Sequence, residues 1–280
     1  MVPERKSIHV FDLDDTLIQT EAKIRVQDSA GRLLYVLKPS EFTIYTLKTG
    51  ETFDFREFSD VGILSRGIVL KYTRTIIETL VRHRTRSDFG ILTARGDKHL
   101  HAPFLIRLFQ ALFKIRLRKS LIFNISDSRF LRHKKTQKMP PYFSGRRYDE
   151  LNVSERKALV IGQDLVTRGY NDISLYDDSR ENLSAFKVIR DAFPAVTYKP
   201  HFIDPTWNVR LQEFRKSLSE KKLLTRGIES ALLILENHSH YHKDPEAGIQ
   251  RLSTTGEVIL TSGDTAIRKE EGRFYLVKMR

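Results

Sequence analysis

Ile8-His9-Val10-Phe11-Asp12-Leu13-Asp14-Asp15-Thr16-Leu17 is the stretch on which the reading of the chain turns. A short apolar run with no helical period predicts a buried parallel strand, and it empties into three acids and a threonine. Asp12 and Asp14 stand two residues apart at the end of that strand, so their carboxylates repel unless something sits between them. A hard divalent cation such as magnesium (Mg2+) takes oxygen ligands and leaves room for a phosphate. A carboxylate beside such a cation can attack phosphorus and form an aspartyl-phosphate. The competing reading is a strand followed by an acidic helix cap, for which Asp15 and Thr16 are good residue types.

Three later stretches bear on the choice. Phe89-Gly90-Ile91-Leu92-Thr93-Ala94-Arg95 is an apolar strand that ends in a hydroxyl, with an arginine that either touches phosphate or pairs with an acid. Ser154-Glu155-Arg156-Lys157 opens a helix and places Lys157 twenty residues before Asp177. Asp172-Ile173-Ser174-Leu175-Tyr176-Asp177-Asp178-Ser179-Arg180-Glu181-Asn182 is a second strand that ends in paired acids, with Asn182 expected to help the turn into the next helix.

Taken in order, these four stretches resemble the motifs of the haloacid dehalogenase (HAD) superfamily: Asp-x-Asp-x-Thr after a strand, a Ser/Thr ending another, a lysine, and an acidic pair ending a third. The resemblance covers roughly the first two hundred residues and extends to HAD-like proteins encoded by phages. It implies a Mg2+-dependent phosphomonoester hydrolase. On that reading Asp12 is the nucleophile and Asp14 the general acid and base. Thr93, Ala94, Arg95 and Lys157 bind phosphate, with Thr93 and Lys157 also counted as catalytic. The metal is held by Asp12, by Asp14 through its backbone carbonyl, and by Asp177 or Asp178. An acid at position 14 favours phosphatase over dehalogenase chemistry within that superfamily.

The expected fold is α/β: a Rossmann-like parallel sheet flanked by helices over residues 1–200, with two insertions and an extension. The first insertion, about 20–64, is β-rich and cap-like. Lys23–Asp28 alternates, Ser29-Ala30-Gly31 turns and Arg32–Leu37 returns, which predicts a hairpin. Pro39–Phe42 reads as a short helical turn and Gly50–Phe58 as another extended piece. Val69–His83 is amphipathic, with Leu70, Ile76, Ile77, Leu80 and Val81 on its apolar side, and His101–Phe113 is a broad-faced apolar helix. The extension, 201–280, reads as two helices (207–224 and 226–236) followed by a β-meander with turns at Thr255-Gly256, Ser262-Gly263-Asp264 and Glu271-Gly272. The alternating histidines His238, His240 and His242 lack a matching fourth ligand and read as a polar connector rather than a metal site.

Charge supplies a second line. The 280-residue chain carries a formal charge of +13, the kind of excess that replaces counterions around nucleic-acid phosphates. From Lys114 to Arg147 eleven lysines and arginines face one acid, Asp127, with Phe130, Tyr142 and Phe143 interleaved. This basic insertion, about 114–150, is expected to contact nucleic acid through Arg132, Lys134, Lys135, Arg146 and Arg147, or else to be a solvated loop whose aromatics pack on the domain. A basic binding or assembly protein with little catalysis on a HAD scaffold is therefore the alternative function. Absence of cysteine excludes disulfides and thiolate metal sites. With no signal-like core among Met1–Lys6 and no apolar run of about 20 residues, a cytoplasmic, non-membrane protein is expected, in the host cell if phage-encoded.

Overall fold

The computed structural model describes residues 6–37, 45–83, 87–136 and 139–204, and beyond these Lys216, Glu220 and three short strands. The chain divides into two compact units, Met1–Ile203 and Asp204–Arg280. The helical turn expected at 39–42, most of the helices expected at 207–224 and 226–236, the histidines 238–242 and the turn at 255–256 lie outside the described residues.

In the first unit the strands are β1 (Ser7–Phe11), β2 (Ile18–Gln19), β3 (Ile24–Gln27), β4 (Leu33–Leu37), β5 (Thr52–Asp54), β6 (Ile68–Val69), β7 (Asp88–Thr93), β8 (Ile122–Asn124), β9 (Asp172–Asp177) and β10 (Thr197–Phe202). Five of them form one parallel sheet in the order β10-β9-β1-β7-β8. The first strand is thus central: the chain builds outward on one side through β7 and β8, then crosses back to add β9 and β10 on the other. Ligands of open parallel sheets bind beyond the carboxyl ends of the strands at this change of direction.

Among the described residues seven helices accompany the strands: α1 (Val61–Arg66), α2 (Lys71–Arg82), α3 (Lys98–Phe113), α4 (Ser128–Thr136), α5 (Val153–Val160), α6 (Arg180–Ala185) and α7 (Lys187–Ala192). Both sheet faces are buried, which is why the strands read as continuous apolar runs rather than alternating ones. One apolar cluster joins Val10, Leu92 and Leu175 to Ala158, Leu159, Phe186 and Ile189. The other joins Phe11, Phe89 and Ile91 to Leu64, Tyr72, Ile77, Leu105 and Phe109.

The β-rich insertion is closed at its base by β2 pairing antiparallel with β6. The hairpin β3–β4 lies within it, and β5 adds on the other side of β3. Two expectations need adjusting here. The amphipathic helix begins at Lys71 rather than Val69, because Ile68 and Val69 are taken by β6. Its buried residues are Tyr72, Thr73 and Ile77, while Val81 is 37% exposed. In the second unit β11 (Thr261–Ser262), β12 (Thr265–Glu270) and β13 (Arg273–Lys278) form an antiparallel meander. Among the described residues no helix is long and apolar enough to cross a membrane.

Candidate active site at the carboxyl edge of the sheet

β1 delivers Asp12 to the carboxyl edge of the sheet, where its amide donates to the Tyr176 carbonyl of β9 over 2.8 Å. That bond continues the β1–β9 ladder one step further and sets Asp12 beside Asp177. Asn152 caps α5, its side chain accepting from the Glu155 amide while Glu155 reaches back to the Asn152 amide. The capped first turn points Lys157 inward, and its ammonium donates to Asp12 Oδ1 at 2.7 Å and to Asp177 Oδ2 at 2.8 Å. Residues 145 positions apart in the chain therefore share one ion pair. Neighbouring Arg156 goes elsewhere, over the Tyr148 ring.

The second oxygen of Asp177 is held by two donors, one of them braced by a third group. It accepts from the Ser179 amide at 2.9 Å and from Asn182 Nδ2 at 2.8 Å. Ser154 in turn donates to Asn182 Oδ1 at 2.7 Å. Asn182 takes part in the turn expected of it, its amide donating to the Ser179 hydroxyl at 3.2 Å, and its side chain also braces a carboxylate, a role that depends on contacts between α5 and α6 that no local pattern encodes.

Asp178 exchanges hydrogen bonds with Thr16: its amide donates to Thr16 Oγ1 at 2.9 Å, and the hydroxyl donates to Asp178 Oδ1 at 3.1 Å. Thr73, on α2, donates its hydroxyl to the Thr16 carbonyl. The cap reading of Asp15 and Thr16 is thereby set aside, since no helix starts there. Leu13 to Ile18 instead form a tight turn with Asp15 in the left-handed region at φ 53°, a conformation that aspartate tolerates better than most residues.

Asp12, Asp177 and Asp178 each place a carboxylate oxygen within 4.8 Å of the others, and they are the acids among the described residues that do so in a metal-holding arrangement. The electrostatics match that crowding. Burial pushes the Asp12 carboxyl well above its usual range, Lys157 opposes this, and Asp177, Asp178 and Asp14 add to it. Burial followed by Asp177 pushes Asp178 up to about 7. Burial alone would lower the Lys157 ammonium, but Asp12 and Asp177 outweigh it and hold it above its ordinary value. Three acids and one ammonium leave a local excess of negative charge in a site with little water. An oxygen-liganded cation fits that donor set and would relieve the repulsion.

The Asp14 carboxylate is not part of this cluster. It is gripped by Arg95, with Nε at 2.8 Å from Oδ2 and Nη2 at 2.5 Å from Oδ1. Arg95 is 2% exposed, and its Nη1 donates to the Phe58 carbonyl of the insertion at 2.7 Å. Of the two readings left open for Arg95, pairing with an acid is the one it adopts. Asp15, behind this fork, is pushed up to about 6 by burial and by Asp14, with Arg95 opposing.

Thr93 ends β7, fully buried, at the same edge as Asp12. Its Oγ1 accepts from the Arg95 amide at 3.2 Å and keeps its own proton to donate. Ala94, next to it, is exposed. His101 and Asn124 brace the following loop, both reaching the Gly96 carbonyl. Neither stood out from the sequence, since each is an isolated polar residue in an apolar stretch.

The basic insertion behaves differently. Lys134 departs from expectation: it is 3% exposed, and its ammonium is bound to Asp164 Oδ2 at 2.7 Å and Gln163 Oε1 at 3.0 Å. A π-helical turn, Ile161–Leu165, presents those two acceptors. As placed, Lys134 cannot meet a polyanion at the surface. Arg146 is exposed but paired with Glu155, and Arg147 with Asp149 and Glu150. Arg132 is exposed on α4, the helix that also carries Lys135. Phe143 is buried, with Phe130 and Tyr142 packed on the same core cluster.

No protein family, curated protein or solved structure matches this chain.

Proposed function

We propose that this chain is a Mg2+-dependent phosphomonoester hydrolase that works through an aspartyl-phosphate on Asp12. The observation that carries the reading is the meeting of Asp12, Lys157, Asp177 and Asp178 at the carboxyl edge of the sheet, in the chain order of the HAD-like motifs. Asp12, Asp177 and Asp178 would hold the cation, which supplies charge neutralisation for an incoming phosphate.

The protein's own residues divide the work as follows. The Asp12 carboxylate attacks phosphorus in line, forming an acyl phosphate as the ester oxygen leaves. Lys157 orients Asp12 and offers an ammonium to the phosphoryl oxygens, and the free Thr93 proton offers a second donor; neutralising those oxygens is the main task in phosphoryl transfer. The leaving oxygen takes its proton from water, and Asp14, paired with Arg95, takes the proton of the water that then hydrolyses the acyl phosphate. Arg95 fixes where Asp14 points. Asn182, Ser154 and Thr16 hold the acidic pair in place.

Phosphate release from a panel of phosphate monoesters, measured with Mg2+ and with EDTA, tests the reading. The wild-type protein is expected to release phosphate only with the cation, and Asp12→Asn to lower kcat by about 10⁴-fold or more, as loss of a covalent nucleophile does elsewhere. Equal rates for wild type and Asp12→Asn across the panel would overturn it and leave the binding or assembly alternative.

A further inference from the structure

Cations at the carboxyl edge of the sheet differ in what holds them. Lys157 is spent on Asp12 and Asp177, and Arg95 on Asp14 and the Phe58 carbonyl. Arg180, three residues past Asp177 at the start of α6, is exposed and makes no ion pair among the described residues. Its guanidinium lies instead over the Phe202 ring, 4.0 Å from the centroid.

A ring attracts a cation to its face but offers no acceptor to the cation's N–H groups. The Phe202 ring therefore holds the guanidinium in place and leaves its in-plane donors free. Nearby acids do not claim them. Asp177 is bound by Lys157, Ser179 and Asn182, Asp178 by Thr16, and the exposed Glu181 forms no ion pair with Arg180. A planar fork of free donors suits the paired oxygens of a phosphate. The strand register places that fork. Phe202 pairs with Asp177 across β10 and β9, and Asp12 extends β1 on the far side of β9. Neighbouring strands are about 4.8 Å apart, so Phe202 stands roughly 10 Å from Asp12 along the edge. A phosphoryl group at Asp12 and a second phosphate at Arg180 can thus belong to one molecule.

We propose that Arg180, resting on Phe202, binds a second phosphate of the substrate, so that the site selects phosphomonoesters carrying two phosphate groups. The inference rests on the phosphohydrolase reading and names the substrate class of that same site. The second phosphate comes either from a small bisphosphate or from the neighbouring diester of a polynucleotide end. Both present the same oxygens to the guanidinium.

Values of kcat/KM measured with Mg2+ on two pairs of substrates test it. One pair is a sugar bisphosphate and the same sugar with a single phosphate. The other is a terminally phosphorylated dinucleotide and the matching nucleoside monophosphate. The wild-type protein is expected to prefer the two-phosphate member of at least one pair by about tenfold or more, the scale of a charge-assisted hydrogen bond. The pair that shows the preference identifies the source of the second phosphate. Arg180→Gln should bring that ratio close to one, and Arg180→Lys should keep part of it, since the charge survives and the fork does not. Loss of folded protein lowers both members of a pair alike, so the ratio reports the contact alone. No preference in either pair would overturn the contact, and so would a preference that survives Arg180→Gln. Hydrolysis of the single-phosphate esters without preference sinks this inference and spares the phosphohydrolase reading, whereas no hydrolysis of any of the four sinks both.

Discussion

Two sets of charged residues stand out in this sequence, and the fold treats them in opposite ways. The acids and lysine at positions 12, 157, 177 and 178 are scattered along the chain yet meet: Lys157 donates to Asp12 and Asp177, and Asp178 places an oxygen within 4.8 Å of both carboxylates. Residues 132–147 are crowded together in sequence yet disperse: Lys134 turns inward to Asp164, Arg146 goes to Glu155, and Arg132 stays in water. The difference lies in what anchors each residue. Three of the first set stand at or just past the ends of parallel strands, whose carboxyl ends all point to one edge, and the fourth is aimed there by a capped helix. The second set lies on a short helix and loops, where each side chain goes its own way: Lys134, Arg146 and Arg147 to separate acids, and Arg132 to solvent. Density of charge along a sequence is therefore a poor guide to density of charge in space, whereas a shared sheet edge is a good one.

The comparison can be broken most severely at Lys157. Replacing it with methionine leaves Asp12 and Asp177 buried without their counter-ion, which should cost about 3–5 kcal/mol of stability in a urea titration. Adding Asp12→Asn should recover part of that loss, since one of the stranded charges is gone. If Lys157→Met unfolds at the wild-type urea midpoint, the four residues are not the coupled unit described here.

On the dispersed side, the contrast between neighbours is the sharper test. Lys134→Ala removes the buried ammonium that pairs with Asp164 and should cost about 2 kcal/mol, while Arg132→Ala, two residues away, should change stability by about 0.5 kcal/mol or less. Equal small effects at both positions would mean that Lys134 is as exposed as the sequence alone suggests.

A smaller effect is expected where the two kinds of region touch. Arg95→Lys keeps the charge but loses the planar fork on Asp14 and the bond to the Phe58 carbonyl. Phosphate release should fall about tenfold through kcat, and the melting temperature should drop as well, because buried acceptors lose their donors. An unaltered kcat would show that the position of Asp14 does not depend on Arg95.

Much of the core was legible beforehand because a doubly covered parallel strand has an unmistakable pattern. Ser7–Phe11, Asp88–Thr93 and Asp172–Asp177 are each apolar runs that stop at a polar residue, and the polar residue marks the edge. The hairpin at β3–β4 and the closing meander were legible from alternation and turn residues. Other features could not be read, for physical reasons. Whether Arg95 faces phosphate or Asp14 is decided by the insertion, which supplies Phe58. The bracing of Asp177 by Asn182 and Ser154 depends on how α6 packs on α5. Lys134 is buried because a π-helical turn nearly thirty residues later offers it two acceptors.

Acid-quenched mass spectrometry of the protein during turnover of a phosphate monoester tests the central claim most directly. The account predicts a peptide spanning Asp12 that carries one added phosphoryl group, present with Mg2+ and absent in EDTA and in Asp12→Asn. Steady phosphate release with no phosphoryl group on that peptide, or with the group on another residue, would contradict it.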